Sequence, residues 1–247
     1  MMRDLTLYLA LLAGIGFGAC NNANNTDTSD TPIMTRVTPT PVPASNEPPI
    51  PKSGAGNFEN LVASFESKDR VIWQKPGMVI SLLGDLTGKT VADIGAGTGY
   101  FAFRMVPRAE RVIGVDIDPR FITFMDSIKV RLPEQYRSRF ESRLAKPNDP
   151  MLNPEEVDAV IIVNTYGYIE NRVQYLQTLR EGMKPDAELL IIDFKKNNLP
   201  VGPEDDYKVG QSQVENELKS GGFDLLKIDN ESLDYQYLIL AKKNNLR

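Results

Sequence analysis

The chain has 247 residues, of which 41% are hydrophobic, 25% charged and 8% aromatic, an ordinary globular composition with room for one large domain or two small ones. Lys+Arg 28 against Asp+Glu 33 leaves a formal net charge of -5, so the broad basic footprint of a nucleic-acid binder is missing and nucleic acid is not expected as the main partner. With His 0 and Cys 1, a Ser-His-Asp triad, a Cys-His dyad, a His-based zinc site and an intrachain disulfide are all excluded, so no metal site is expected and any chemistry runs without imidazole.

Residues 1–20 carry one basic residue, Arg3, then an uncharged stretch from Leu5 to Phe17, then small residues ending in Cys20. The apolar core is too short for a spanning helix, which needs about 20 residues, and reads as a secretory signal. Gly18-Ala19-Cys20 resembles the end of a bacterial lipobox, which implies cleavage before Cys20 and lipid modification of its thiol; an uncleaved hydrophobic N-terminus with an incidental cysteine is the simpler alternative. Residues 21–57 are rich in Asn, Thr, Ser and Pro and nearly empty of large apolar side chains, so they cannot offset their ordering entropy by burial and read as a disordered tether. Signal and tether together predict a domain lipid-anchored in a bacterial cell envelope, facing the periplasm or the outer surface.

From Phe58 to the C-terminus, apolar runs alternate with stretches of helical spacing. The runs are Thr90–Ile94, Arg111–Asp116, Val157–Val163, Glu188–Phe194, Phe223–Ile228 and Tyr235–Ala241; Pro119–Leu132 and Asn171–Met183 have helical periodicity. Strand runs without polar alternation are covered on both faces, and the intervening helices make residues 58–247 a single α/β domain with a mostly parallel sheet.

The first run leads into Asp93-Ile94-Gly95-Ala96-Gly97-Thr98-Gly99-Tyr100, three glycines between a strand and a helix. Gly95 and Gly97 permit a tight turn that brings backbone N–H groups close to a ligand, and Gly99 lets the next helix pack near the strand. Asp116 ends the second run, about 20 residues past the loop, where an acid can accept both hydroxyls of a ribose. The spacing of the glycines, with Tyr100 in place of a third-turn glycine, departs from the G-x-G-x-x-G of nicotinamide-binding proteins.

These residues resemble the class I S-adenosylmethionine-dependent methyltransferases. Asp93 to Gly99 looks like that family's first motif and Gly114-Val115-Asp116-Ile117-Asp118 like its second, and the likeness continues through Val157–Asn164, Met183–Phe194 and Gly221-Gly222-Phe223. The resemblance implies a Rossmann-like α/β fold: a mostly parallel seven-stranded sheet with helices on both faces and the last strand antiparallel. It also implies S-adenosylmethionine as cofactor. Asp93 and the loop Gly95, Ala96, Gly97 and Gly99 would face its methionine part, Asp116 would hold its ribose, and Ile117 would pack on its adenine.

Methyl transfer is an in-line displacement at an activated sulfonium, so positioning carries much of the catalysis and a base is needed only where the acceptor must lose a proton. Acceptors lie beyond the carboxyl ends of the strands in open α/β sheets, which selects Asn164-Thr165-Tyr166-Gly167-Tyr168 after the fourth strand, with Asn164 and Tyr166 as candidate catalytic residues ahead of Asp193 after the fifth; packing of the Tyr166 ring with a satisfied hydroxyl is an equal alternative. Upstream, Phe65–Pro76 resembles an N-terminal cap segment of such enzymes; Arg70 could pair with the cofactor's carboxylate and Trp73 could cover its sulfonium, although burial of the Trp73 ring against the sheet is the simpler reading. The expected acceptor is a small molecule or an envelope component. The alternative is a non-catalytic module that binds an adenosyl ligand, or a scaffold, on the same fold.

Overall fold

The computed structural model describes residues 58–245. The signal-like residues 1–20 with Cys20, and the tether of residues 21–57, lie outside the described residues. Three short helices, α1 (Phe58–Phe65), α2 (Arg70–Gln74) and α3 (Pro76–Ser81), precede the first strand, β1 (Thr90–Ile94). Then follow α4 (Ala102–Met105), β2 (Arg111–Asp116), α5 (Pro119–Lys129), α6 (Glu134–Arg137), β3 (Phe140–Leu144) and β4 (Val157–Val163). The chain ends through α7 (Arg172–Gly182), β5 (Met183–Phe194), α8 (Gln211–Ser220), β6 (Phe223–Asp229) and β7 (Gln236–Lys243), with 3-10 turns at Tyr166–Tyr168 and Asp205–Tyr207.

The strands form one seven-stranded sheet in the order β3-β2-β1-β4-β5-β7-β6. All neighbouring pairs from β3 to β5 are parallel, and β7 runs antiparallel to both β5 and β6. This is the Rossmann-like architecture expected from the motifs, with the last strand reversed. Order reverses between β1 and β4, so a crevice opens at the carboxyl ends of these two neighbours, where open α/β sheets bind ligands.

Successive strand residues enter opposite layers because side chains alternate across a pleated strand. Ala92, Ile94, Val160, Ile162 and Ile191 pack with Leu176 and Leu179 of α7 and Val214 and Leu218 of α8. Val91, Val112, Ala159, Ile161 and Ile192 pack on the other side with Val79 and Ile80 of α3, Met105 of α4 and Met125 of α5. The uninterrupted apolar runs of β1, β2, β4 and β5 are thus covered on both faces.

One strand escaped the reading of apolar runs. β3 has the sequence FESRL, and only Phe140 in it is buried. It is an edge strand held by polar groups, with Arg143 donating to Glu141 Oε1 at 2.5 Å and Glu156 Oε2 at 2.6 Å. The fifth strand is also longer than its apolar run, starting at Met183 instead of Glu188.

Candidate functional site

The glycine loop leaves β1 and enters α4 with three left-handed backbone conformations, φ 71° at Gly95, 55° at Gly97 and 80° at Gly99. Such angles strain any residue with a Cβ. Space matters as well: a Cβ on Gly95 would lie 2.3 Å from the Thr165 side chain, and one on Gly97 would lie 3.0 Å from the Phe65 ring. In this structure Thr165 beyond β4, Phe103 of α4 and Phe65 of α1 crowd the loop, at Gly95, Gly99 and Gly97 respectively.

Asp116 ends β2 directly beneath that loop and is 8% exposed. One carboxylate oxygen accepts from Gly97 N and the other from Asp118 N, at 2.8 and 2.9 Å. Burial pushes its pKa up, against the pull of these backbone donors. A carboxylate offers about four lone-pair sites, so beyond these donors and the weaker pull of the Ile117 backbone it can still take a further donor. Next to it Ile117 leaves its side chain 46% exposed, an apolar surface at the strand tip with nothing packed over it to bury it. Asp118 then starts α5 by accepting from Arg120 N, with Pro119 at the first helical position.

Asp93 is buried on β1, where its Oδ2 accepts from Ala102 N at 2.9 Å and so caps the start of α4. Burial raises its pKa to about 7, opposed by the Ala102 hydrogen bond and by the nearby charge of Arg70. Arg70 itself is knitted into the N-terminal segment: Nε donates to Gln74 Oε1 at 2.8 Å and Nη1 to the Phe65 carbonyl at 2.6 Å. Its guanidinium lies 4.1 Å from the centroid of the Tyr100 ring, and desolvation lowers its pKa to about 10. Arg104 also stacks on Tyr100, and the Tyr100 hydroxyl is buried with no hydrogen-bond partner.

The helices before β1 close over the loop. Phe65 stacks on Phe121 of α5 with centroids 5.5 Å apart, and Thr98 Oγ1 donates to Glu66 Oε1 at 2.5 Å. Trp73 tilts against Phe194 at the end of β5, centroids 5.9 Å apart, and is half-buried, in line with the simpler reading of its ring.

The structure separates the two acceptor-side candidates. Asn164 stands at the carboxyl tip of β4 with φ 56°, a conformation that Asn tolerates better than most residues, and its side chain meets two fully buried amides, Gln74 of α2 and Gln236 of β7. Tyr166 requires correction. Its ring is fully buried, and its hydroxyl donates to Glu217 Oε2 at 2.8 Å, where Arg172 also binds. Burial and its hydrogen bond to Glu217 push its pKa up, and the hydroxyl is turned to α8; the sequence placed it two residues past Asn164 but could not show that the 3-10 turn aims it into the helix layer. Asp193 is likewise structural in its contacts: it accepts from Gly167 N and Phe194 N, and burial raises its pKa to about 6.

Sequence reasoning placed Phe65, Glu66 and Gln74 within the cap segment and Thr165 after the fourth strand without giving them individual roles, and it missed Gln236 as part of this region. Only the two glutamines carried a signal, being amides within otherwise apolar surroundings. Among the described residues no group of His, Cys, Asp or Glu is placed to hold a metal ion.

Comparison with known proteins fits this geometry. Residues 92–189, from within β1 to within β5, match the family described as a methyltransferase domain. The chain is 30% identical over 171 residues to the tRNA U34 carboxymethyltransferase of Shewanella denitrificans, an alignment that spans 63% of this chain but 47% of that protein. The chain thus spans about half the length of the curated relatives it matches. Among solved structures, a SAM dependent methyltransferase from Aquifex aeolicus superposes with a TM-score of 0.69 at 20% identity, over 76% of this chain and 98% of that one. The cyclase SpnF superposes with a TM-score of 0.60 at 14% identity over 69% of this chain and 81% of that one, so the same fold also serves other chemistry.

Residues 92–189 match a methyltransferase domain, and the fold is that of the class I S-adenosylmethionine-dependent methyltransferases. The cofactor of that class is S-adenosylmethionine, and the residues present fit it. Asp116 has lone pairs to spare at the strand tip, Ile117 offers bare apolar surface beside it, and the orphaned Tyr100 hydroxyl marks an unfilled polar position next to Arg70.

Proposed function

We propose that the chain is an S-adenosylmethionine-dependent methyltransferase, and that Asp116 holds the ribose of the cofactor while Ile117 packs on its adenine. The observation that carries this reading is the pairing of Gly97 N with Asp116 Oδ2 at 2.8 Å, which joins the glycine loop and the ribose acid into one cradle at the switch point of the sheet. When bound, the cofactor supplies a methyl group on an activated sulfonium. Asp93 and Arg70, close in space under the cap, orient its methionine part, with Arg70 available to a carboxylate. Labelled methyl transfer from S-adenosylmethionine to extracts of the source cell envelope, using the full chain, tests the activity; a chain that binds the cofactor and never transfers the label would instead support a binding module.

The acceptor is a small molecule or an envelope component. The net charge of -5 supports this over a tRNA, whose backbone a protein neutralises with clustered Lys and Arg. The 30% identity to a tRNA U34 carboxymethyltransferase favours the second reading, an RNA acceptor, and transfer of label to bulk tRNA decides between them.

The reading extends to location. The apolar run of residues 5–17, the small residues before Cys20 and the Pro-rich tether support export and lipid attachment through Cys20. Among the described residues no helix is long and apolar enough to cross a membrane. Cys20→Ser should release the protein from the membrane fraction; retention of that variant in the pellet would remove the lipid anchor from the account.

A further inference from the structure

The amides around Asn164 form a chain whose polarity is set at one end by a cation. Arg70 has only donors, so Gln74 must turn its Oε1 toward Arg70 Nε, 2.8 Å away. Gln74 Nε2 is then the end that faces the sheet, 3.2 Å from Gln236 Oε1 and 3.4 Å from Asn164 Oδ1. Gln236 accepts there through its oxygen, which leaves its Nε2 to donate to Asn164 Oδ1. Asn164 Oδ1 thus receives both glutamines, and the opposite orientation would set N–H against N–H between buried groups, since Gln74 and Gln236 are 0% exposed. Asn164 Nδ2 is left as the free end of the chain, with no hydrogen bond from it among the described residues.

Asn164 occupies the carboxyl tip of β4, and the next residue, Thr165, touches the glycine loop through Gly95. We propose that Asn164 is a fixed hydrogen-bond donor to the methyl acceptor and selects an ionised oxygen of the carboxylate class over an amine. This rests on the methyltransferase reading above. A carboxylate oxygen has one lone pair to accept from Nδ2 and another to attack, whereas an amine spends its single lone pair on the methyl carbon and offers Asn164 only N–H groups. The step balances without a base: the attacking lone pair forms the O–C bond, the C–S bond breaks with its electrons returning to sulfur, and anion plus sulfonium become neutral ester plus neutral thioether. No proton moves, as suits a chain with His 0.

The test is a titration of the isotopically labelled full chain, saturated with S-adenosylhomocysteine, following the Asn164 side-chain amide by NMR; Asn164→Asp assigns the resonance by its loss. Sodium acetate should shift it saturably, and methylammonium chloride at equal ionic strength should not. In Gln74→Glu the residue can still accept from Arg70 but no longer donates to Asn164, so the acetate response should weaken at least tenfold. An amide unmoved by acetate, or one that answers methylammonium instead, would overturn the proposal. Calorimetry with S-adenosylhomocysteine on the same samples separates the two readings: absent binding contradicts the methyltransferase assignment, while the acetate titration of the free chain still scores the polarity of Asn164.

Discussion

Asp116 fixes Gly97 and Asp118 through their backbone N–H groups, and in the proposed function the same carboxylate also holds a ribose. Asp116→Ala should therefore weaken S-adenosylhomocysteine binding at least tenfold and also lower stability by about 1–3 kcal/mol, the usual cost of stranding buried donors. Thermal and calorimetric measurements on one preparation separate these effects. The buried acids Asp93 and Asp193 act on stability in a defined direction. Their folded pKa values are raised to about 7 and about 6, above the unfolded carboxylate near 3.9, so the folded chain holds protons that the unfolded chain has lost. Stability from these groups is fully present below the unfolded pKa and is lost as pH rises through 6 and 7. Glu156 and Asp229, lowered to about 2 by Arg143 and by Ser232, oppose this only in more acid solution, where stability falls as pH drops through their folded values. With no histidine titrating between, these groups should set a melting-temperature maximum at about pH 4 and a decline toward about pH 7, and Asp93→Asn should flatten that decline; a midpoint rising steadily from pH 5 to 7 would contradict the assignment.

Among the elements, the glycine loop and the cap depend on each other. Gly95→Ala should cost about 2–4 kcal/mol, from left-handed strain and from the 2.3 Å approach of Thr165. Thr165→Ala removes the two atoms nearest that new methyl group, so the double variant should recover about 1 kcal/mol relative to additivity. Purely additive losses in denaturant titrations would mean that strain, not contact, dominates. The helices α1 and α2 are short and partly exposed, held over the loop by Phe65, Glu66 and Arg70. Their amides should exchange faster than those of β1 and β4 and slow when S-adenosylhomocysteine binds, since both the loop and the cap then share a ligand. How much of this was legible depended on what each element has to bury. β1, β2, β4 and β5 announce themselves by apolar runs because both faces are covered. β3 hid among charges because an edge strand can be held by Arg143 and its carboxylates. The glycines were legible because left-handed backbone demands that residue type, and Asp116 because its place at the tip of β2, beside the loop, follows from the spacing. The Gln74–Gln236–Asn164 chain was not, since it joins residues 90 and 162 positions apart, on α2, the tip of β4 and the reversed β7, that only the folded sheet brings together.

At the scale of the whole molecule, a seven-stranded sheet with its order reversing between β1 and β4 places everything that matters at one edge: the loop after β1, the acid after β2, the amide after β4 and the cap above them. Topology of this kind follows from alternation of strands and helices and was readable in outline. Which side chains turn into the crevice was not, and Tyr166 shows why: the 3-10 turn that follows β4 rotates it into the α7–α8 layer. The central claim is that this edge is an adenosyl-binding site. Calorimetric titration of the full chain with S-adenosylhomocysteine, alongside Asp116→Ala, tests it most directly. Micromolar binding, about -8 kcal/mol, that falls at least tenfold in the variant is the predicted result. A folded wild-type chain that gives no heat of binding, or an Asp116→Ala chain that binds as tightly as the wild type, would contradict it.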